Sequence, residues 1–331
     1  MLLRRTAVRL SAAAMCVALY ASNALAGDGR ALLKYLPKDA PGVLVVNMEQ
    51  LGKSALYQEL MKSATSSPEV KKALDDARAL LGADPLTAIK TVVVAFPSVQ
   101  SGQDALLAFE PNFDAERTAK KAVSEGKAKL QETYNGAALY AGTGAGQGMM
   151  TVLGGQIVTG EAAAVKKAVD QFKKKGPSAE KNADLMKRLT GVATTNDLIF
   201  AMKPSAEMRK TMNGEAQKME GVNGGLDFEK GVGAKFDVTF DSPKTATDTV
   251  AQIKGGLTGL GSNPQAAMFG ADILAKKLNV TAAGKDVKLS LALDEADVAR
   301  LKTTLAMLAA MSGAMGGQQG GAPGMMPPQG R

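Results

Sequence analysis

Short β-branched, apolar runs alternate along the chain with longer stretches in which apolar side chains recur every three or four positions, the mixed pattern of an α+β protein. Val43 to Met48 (VLVVNM) has strand length and follows the turn Asp39-Ala40-Pro41-Gly42. A helix is expected over 50–63. A second begins at Ser67 as N-cap with Pro68 in the first helical position, and its Val70, Leu74, Ala77 and Leu81 share a face before Gly82. Thr91–Phe96 and Asp104–Phe109 read as a hairpin, and a helix follows from Asp114 to Ser124. Strands near 129–134, 137–141, 148–153 and 156–160, separated by Asn135-Gly136 and Gly154-Gly155, predict an antiparallel meander. Glu161 opens a helix whose Val165, Val169 and Phe172 oppose its lysines.

The second half restates the first. Asp197–Met202 followed by Pro204 and a helix parallels the opening strand and helix. Lys235–Phe240 with the Ser242-Pro243 helix start parallels Leu106–Phe109 with its Asp114 helix, and Val287–Leu293 with its helix parallels Ile157–Thr159 with the Glu161 helix. Two of the three spacings agree, which requires an insertion in the first half. Helices are also expected over 243–258 and 264–278, a hairpin around Ala283-Gly284-Lys285-Asp286, and a last helix from Glu295 to Ala310 with Val298, Leu301, Leu305 and Leu308 on one stripe. The expectation is two tandem, duplicated lobes, 27–175 and 196–311, each an antiparallel sheet covered by helices on one face. The polar stretch 176–195 is read as linker and helix.

Both ends differ from this body. Residues 1–26 carry Arg4, Arg5 and Arg9, an apolar stretch from Leu10 to Tyr20, and Ala24-Leu25-Ala26, the order of a secretory signal peptide cleaved after Ala26. The apolar stretch is short of the roughly 20 residues that cross a bilayer. The residues around Cys16 do not form a lipidation site, and Ala7-Val8 is a poor twin-arginine match, so Sec export to the periplasm or beyond is expected. No transmembrane segment is predicted for the mature chain. Residues 312–331 hold seven glycines and three prolines, a composition expected to stay disordered.

Composition narrows the chemistry. Among 331 residues there is no His, no Trp and one Cys, and that Cys lies in the leader, which excludes His-based triads, His-ligated zinc, axial-His haem and disulfides. Without Arg4, Arg5 and Arg9 the chain carries 37 basic and 32 acidic groups, a mild surplus of +5 and no nucleic-acid footprint. Aromatic platforms for glycans or bases are reduced to Tyr35, Tyr57, Tyr134 and Tyr140.

The remaining motifs fall short of a site. Gly142-Thr143-Gly144-Ala145-Gly146-Gln147-Gly148 lacks the G-x-G-x-x-G spacing and precedes a strand, so it reads as a hairpin loop. Ser178-Ala179-Glu180-Lys181 has S-x-x-K spacing without companion motifs. Asp75-Asp76, Asp294-Glu295 and Asp297 occupy helix faces or a helix start, and Lys173-Lys174-Lys175 a helix end. Met311, Met315, Met325 and Met326, with Met149-Met150, are the thioethers that could hold Cu(I). No residue is nominated as catalytic, cofactor-binding or metal-ligating, and no cofactor is implied.

The stretch LPKDAPGVLVVNMEQL at 36–51 resembles the opening of uncharacterised exported bacterial proteins, in which a Leu-Pro-x-Asp-Ala turn feeds the first strand. The resemblance implies an envelope or secreted setting and names no activity. The leading expectation is a non-enzymatic protein whose hinge or open sheet face binds an envelope protein or a small apolar ligand. The alternatives are a hydrolase built on Asp, Glu, Ser and Lys, and a Cu(I)-handling protein. A catalytic cleft should gather desolvated ionisable groups, whereas a binding module should offer apolar surface without them.

Overall fold

The computed structural model describes residues 29–303 except 97–104, 144–147, 175, 264–265 and 267–269. The leader with Cys16, and Met311, Met315, Met325 and Met326, lie outside the described residues. Twelve strands form a single antiparallel sheet: β1 (Gly42–Asn47), β2 (Ile89–Ala95), β3 (Leu106–Pro111), β4 (Ala128–Tyr134), β5 (Ala137–Gly142), β6 (Met149–Leu153), β7 (Gln156–Gly160), β8 (Leu198–Met202), β9 (Met219–Asp227), β10 (Val232–Phe240), β11 (Leu278–Ala283) and β12 (Asp286–Leu293). Their spatial order is β11-β12-β10-β9-β8-β1-β2-β3-β7-β6-β5-β4.

The expectation of two separate sheets is therefore corrected. Val43 faces Ala201 and Val45 faces Ile199 across an antiparallel β1–β8 pair, which fuses the halves into one sheet. The physical reason lies in β1 itself, whose side chains are apolar on both faces and whose two edges both need a partner. Outward from this seam, one half runs β1-β2-β3-β7-β6-β5-β4 and the other β8-β9-β10-β12-β11.

The helices are α1 (Met48–Leu51), α2 (Ala55–Ala64), α3 (Pro68–Leu81), α4 (Ala115–Ser124), α5 (Ala162–Phe172), α6 (Ala183–Thr190), α7 (Ala206–Thr211), α8 (Pro243–Ser262) and α9 (Ala271–Lys277). A further helical stretch occupies 295–303. The helix expected over 50–63 is broken at Gly52-Lys53-Ser54. The α3 boundaries follow their signals, with Pro68 in the first turn and Gly82 left-handed at φ 70°. The two-residue turns of the β4–β5 and β6–β7 hairpins have positive φ throughout, 48° and 76° at Asn135-Gly136 and 58° and 81° at Gly154-Gly155, as type I′ turns demand.

Helices cover both faces of the first half rather than one. Alternate strand residues point to opposite faces, so Val45, Val93, Ala108 and Val158 bury against Val165 and Val169 of α5 and Leu185 and Leu189 of α6. Their neighbours Val46, Val92 and Phe109 point the other way, toward Met48, Leu51 and Tyr57. In the second half, α8 packs Ala246 and Val250 against Phe240, Val280 and Val287. The opposite face there is polar, with Lys235, Asp237, Lys288 and Ser290 on adjoining strands. An open apolar sheet face is thus not what β10 and β12 present.

The stretch 176–195 is docked on the first half: Ser178 bridges Pro37, and the Ala179 N–H donates to the Leu36 carbonyl at 2.8 Å. Among the described residues, no helix is long and apolar enough to cross a membrane.

Candidate functional site

The apolar pattern of α3 exceeds what the core uses. Leu74 is buried, while Ala77, Leu80 and Leu81 remain partly exposed and form the roof of a cavity over the sheet. Its floor crosses four neighbouring strands, from Ile89 of β2 through Phe109 of β3 and Ile157 and Thr159 of β7 to Met150 of β6. The register places these together: Phe109 lies opposite Ile157, and Met150 opposite Thr159. Pro85 and Ala88, in and after the 3-10 turn Pro85–Thr87, close one side, and Phe113 before α4 adds a ring. The volume is about 370 Å³, toward the small end of ligand pockets.

Among the described residues, no ionisable side chain lines this space. Thr159 supplies a hydroxyl to the wall, and that hydroxyl donates to the Met149 carbonyl at 2.9 Å. Apart from that hydroxyl oxygen, a guest would meet hydrocarbon, thioether and aromatic surface. The roof is held from outside by polar contacts. The Lys121 ammonium of α4 donates to the Ala79 carbonyl, and Arg78 reaches Asp75 at 3.0 Å and Asp84 at 3.6 Å. These pairs are well exposed and contribute little each.

Buried polar groups gather elsewhere, at the β1–β8 seam. Asn47 is 2% exposed, Glu49 8% and Asp197 3%. The Asn47 N–H donates to the Asp197 carbonyl at 2.7 Å, and its side-chain Oδ1 accepts from Gln50 N–H. The Asp197 carboxylate accepts the Phe228 N–H, and Glu49 Oε1 meets Lys53 at 3.4 Å, leaving Glu49 Oε2 and Asn47 Nδ2 without partners. Burial, reinforced by Asp227 and Glu229, holds the Asp197 carboxyl above the usual carboxylate range. Neither acid lines the apolar cavity.

The motifs singled out in the sequence are dispersed. Gly142 and Gly148 flank the connection from β5 to β6, with 144–147 outside the described residues; a strand follows it. Ser178 is buried, Lys181 exposed, and a 3-10 turn separates them. Asp75 and Asp76 are exposed on α3. Asp294 and Asp297 exchange side-chain to N–H bonds at the start of 295–303, a capping-box arrangement, and both pair with Lys277. Tyr35 is buried and donates to the Leu153 carbonyl at 2.9 Å, its pKa pushed up to about 12 by burial. Tyr57 is raised to about 12 for the same reason, and Tyr134 is raised by its bond to Asp170. Lys173 and Lys174 are exposed, and Lys175 lies outside the described residues.

Met149 and Met150 are adjacent on β6 and point to opposite faces, so they cannot close on one ion. Among the described residues no group of three acids or cysteines could hold a metal. The cavity residues went unrecognised because Leu80, Ile89 and Phe113 carry no motif. The surplus of apolar positions on α3 was their signal. Comparison with protein families, characterised proteins and solved structures gives no match for this chain.

Proposed function

We propose that this chain is an exported, non-enzymatic binding protein that carries a small apolar molecule between α3 and the sheet. One observation supports the reading above the others: a cavity of about 370 Å³ whose wall, among the described residues, offers no ionisable side chain and whose hydroxyl is already hydrogen-bonded. Reaction at such a wall would lack an acid, a base or a nucleophile, whereas burial of apolar ligand surface there is favourable at ~25 cal/mol per Å². Residues 1–26 act as a Sec-type leader, and the mature chain begins at Gly27 in the periplasm or outside the cell.

The same reading includes an internal duplication. The parallels drawn from sequence pair β1 with β8, β3 with β10 and β7 with β12, strands that hold equivalent places outward from the seam. The unequal spacing then falls between the first two strands of each half, where residues 48–88 stand against residues 203–218. That longer segment contains α3, so the roof of the cavity belongs to the part of the first half without a counterpart.

The test is to purify the chain from an exporting host, extract it with organic solvent and identify what is released. A near-stoichiometric apolar compound in the parent, absent from Ala77→Phe, is the expected result. Equal, empty extracts from both proteins, together with no thermal stabilisation by added n-alkanols, defeat the proposal.

A further inference from the structure

The two ends of the single sheet are not alike. At one end β4 carries Lys129 and Glu132, and its ladder to β5 shifts register between Leu130 and Glu132, the charge and bulge that keep a free edge from pairing. At the other end β11 (LNVTAA) has no charge, proline or glycine and meets β12 over all six residues without a register shift. Its outer N–H and C=O groups form a flat edge of the kind that takes up a further strand.

Over this end lies α8, the outermost helix of its layer. Its Ala246, Val250, Ile253 and Leu257 face the sheet. One flank borders α9, where a methyl on Gly261 would stand 3.1 Å from the Ala275 Cβ. Beyond α9 comes the stretch 295–303, through the Arg300–Asp272 pair at 3.1 Å, and then α2, through Lys302 and Glu59. The opposite flank of α8 therefore points past β11. It carries Gln252, Gly256 and Gly259, all exposed, at spacings of four and three that place them on one stripe. Among the described residues, a side chain added at either glycine would meet nothing within 4 Å. Glycine weakens an exposed helix relative to alanine, and inside the chain nothing offsets that cost.

From these two features we infer that β11 pairs with β11 of a second copy, antiparallel about a two-fold axis through Val280, and that the two α8 helices meet over the junction. In that register Val280 faces itself, Leu278 faces Ala282 on the apolar side, and Asn279 faces Thr281 on the polar side. Lys277 meets Ala283, so no charge opposes a charge, whereas moving the axis to Thr281 would set Lys277 against Lys285. A six-residue ladder is short for a stable pair, which buries about 1,200 Å² or more. The glycine flanks supply the rest by letting the helix backbones come close. The axis consumes both β11 edges and leaves only the defended β4 edges, so the assembly closes as a dimer and does not grow into a filament.

The experiment is sedimentation equilibrium of the mature chain from micromolar to near-millimolar protein, across which the parent should pass from monomer to dimer. Asn279→Lys with Thr281→Lys in one chain, and Asn279→Glu with Thr281→Glu in another, change two exposed side chains. Each doubly substituted chain should dimerise at least tenfold more weakly alone, with a far-ultraviolet spectrum matching the parent, and an equimolar mixture of the two should recover the dimer. Gly256→Gln with Gly259→Gln should raise the melting temperature, since glutamine favours a helix over glycine, and yet weaken the dimer at least tenfold. Leu130→Glu, on β4, should leave it unchanged. A chain that is monomeric at every concentration overturns the inference, whatever then covers β11. So does a dimer that ignores the charges at 279 and 281 or the two glutamine substitutions, or one that Leu130→Glu dissolves.

Discussion

The carboxylate of Asp197 accepts the backbone N–H of Phe228 at 2.5 Å, tying the residue before β8 to the residue after β9. Desolvation raises the proton affinity of this acid, Asp227 and Glu229 add to it, and the Phe228 N–H opposes it. The folded chain thus binds the proton more tightly than the unfolded chain. The ionised acid is a penalty that is complete above the raised pKa and relieved as pH falls toward the unfolded value. Asp197→Asn keeps the acceptor and removes the charge. In urea titrations its stability relative to the parent should be greatest at neutral pH and decline on acidification. Asp197→Ala, which strands the Phe228 N–H, should cost about 1–3 kcal/mol. A difference between Asn variant and parent that is constant with pH would contradict this account.

Several exposed acids titrate with the opposite sign. Asp184 is lowered first by its bond to Lys203, Asp241 by Thr245 and Asp294 by the Asp297 N–H. Their contributions are present above the unfolded pKa and lost as pH falls through the lowered values. In Asp197→Asn these groups act without the relief that Asp197 gives the parent, so between neutral pH and the ordinary carboxylate range the variant should lose stability more steeply than the parent, and below that range the two should fall in parallel.

Tyr35 is fully buried, stacks on Phe172 at 5.6 Å between centroids and reaches the β6–β7 hairpin through its bond to Leu153. Tyr35→Phe keeps the stacking and removes the hydrogen bond. The expected loss is about 1–2 kcal/mol, seen as a lower urea midpoint at unchanged slope. No shift in midpoint would mean that water replaces the phenol at Leu153.

Gly221 and Gly224 make opposite predictions on one strand. A methyl at Gly224 would meet the Lys235 carbonyl at 2.3 Å and the Phe236 ring at 2.3 Å, so backbone must move, whereas one at Gly221 would meet the end of the flexible Arg188 side chain at 2.0 Å. Gly224→Ala should cost about 1–3 kcal/mol, and Gly221→Ala less, by displacing the guanidinium from Thr239 and Glu220. Comparable melting temperatures for the two variants would refute the distinction.

The seam predicts that the halves are not independent. Ile199 and Ala201 from β8 sit in the same core as Val43 and Val45 from β1. Fragments divided at Gly176 should remain unfolded alone by circular dichroism and regain structure when mixed. Ile199→Ala in the whole chain should cost about 2–5 kcal/mol.

Local signals carried most of the elements. The Asp114 and Ser242 caps mark helix starts through side-chain bonds to Arg117 and Thr245 N–H groups, and Asn-Gly and Gly-Gly mark the meander turns. Strand β9 was illegible because MEGVNGGLD is poor in β-formers. Its glycines are there for what lies over them: Arg188 on Gly221, Phe236 on Gly224 and Asn196 on Gly225. The pairing of β1 with β8 was equally hidden, since register between distant strands leaves no local mark. The cavity was half legible: the α3 stripe was visible, but which strands lay under it depended on β7 returning beside β3.

The central place of β1 bears on how the chain acquires its shape. One edge of this strand waits for β2, and the other for β8, which emerges from the ribosome only after the six other strands of the first half. Closing so long a loop is slow, and the unsatisfied edge invites chaperones in the interval. A polypeptide that delays its central ladder in this way stays threadable during synthesis, and commits to its final form late.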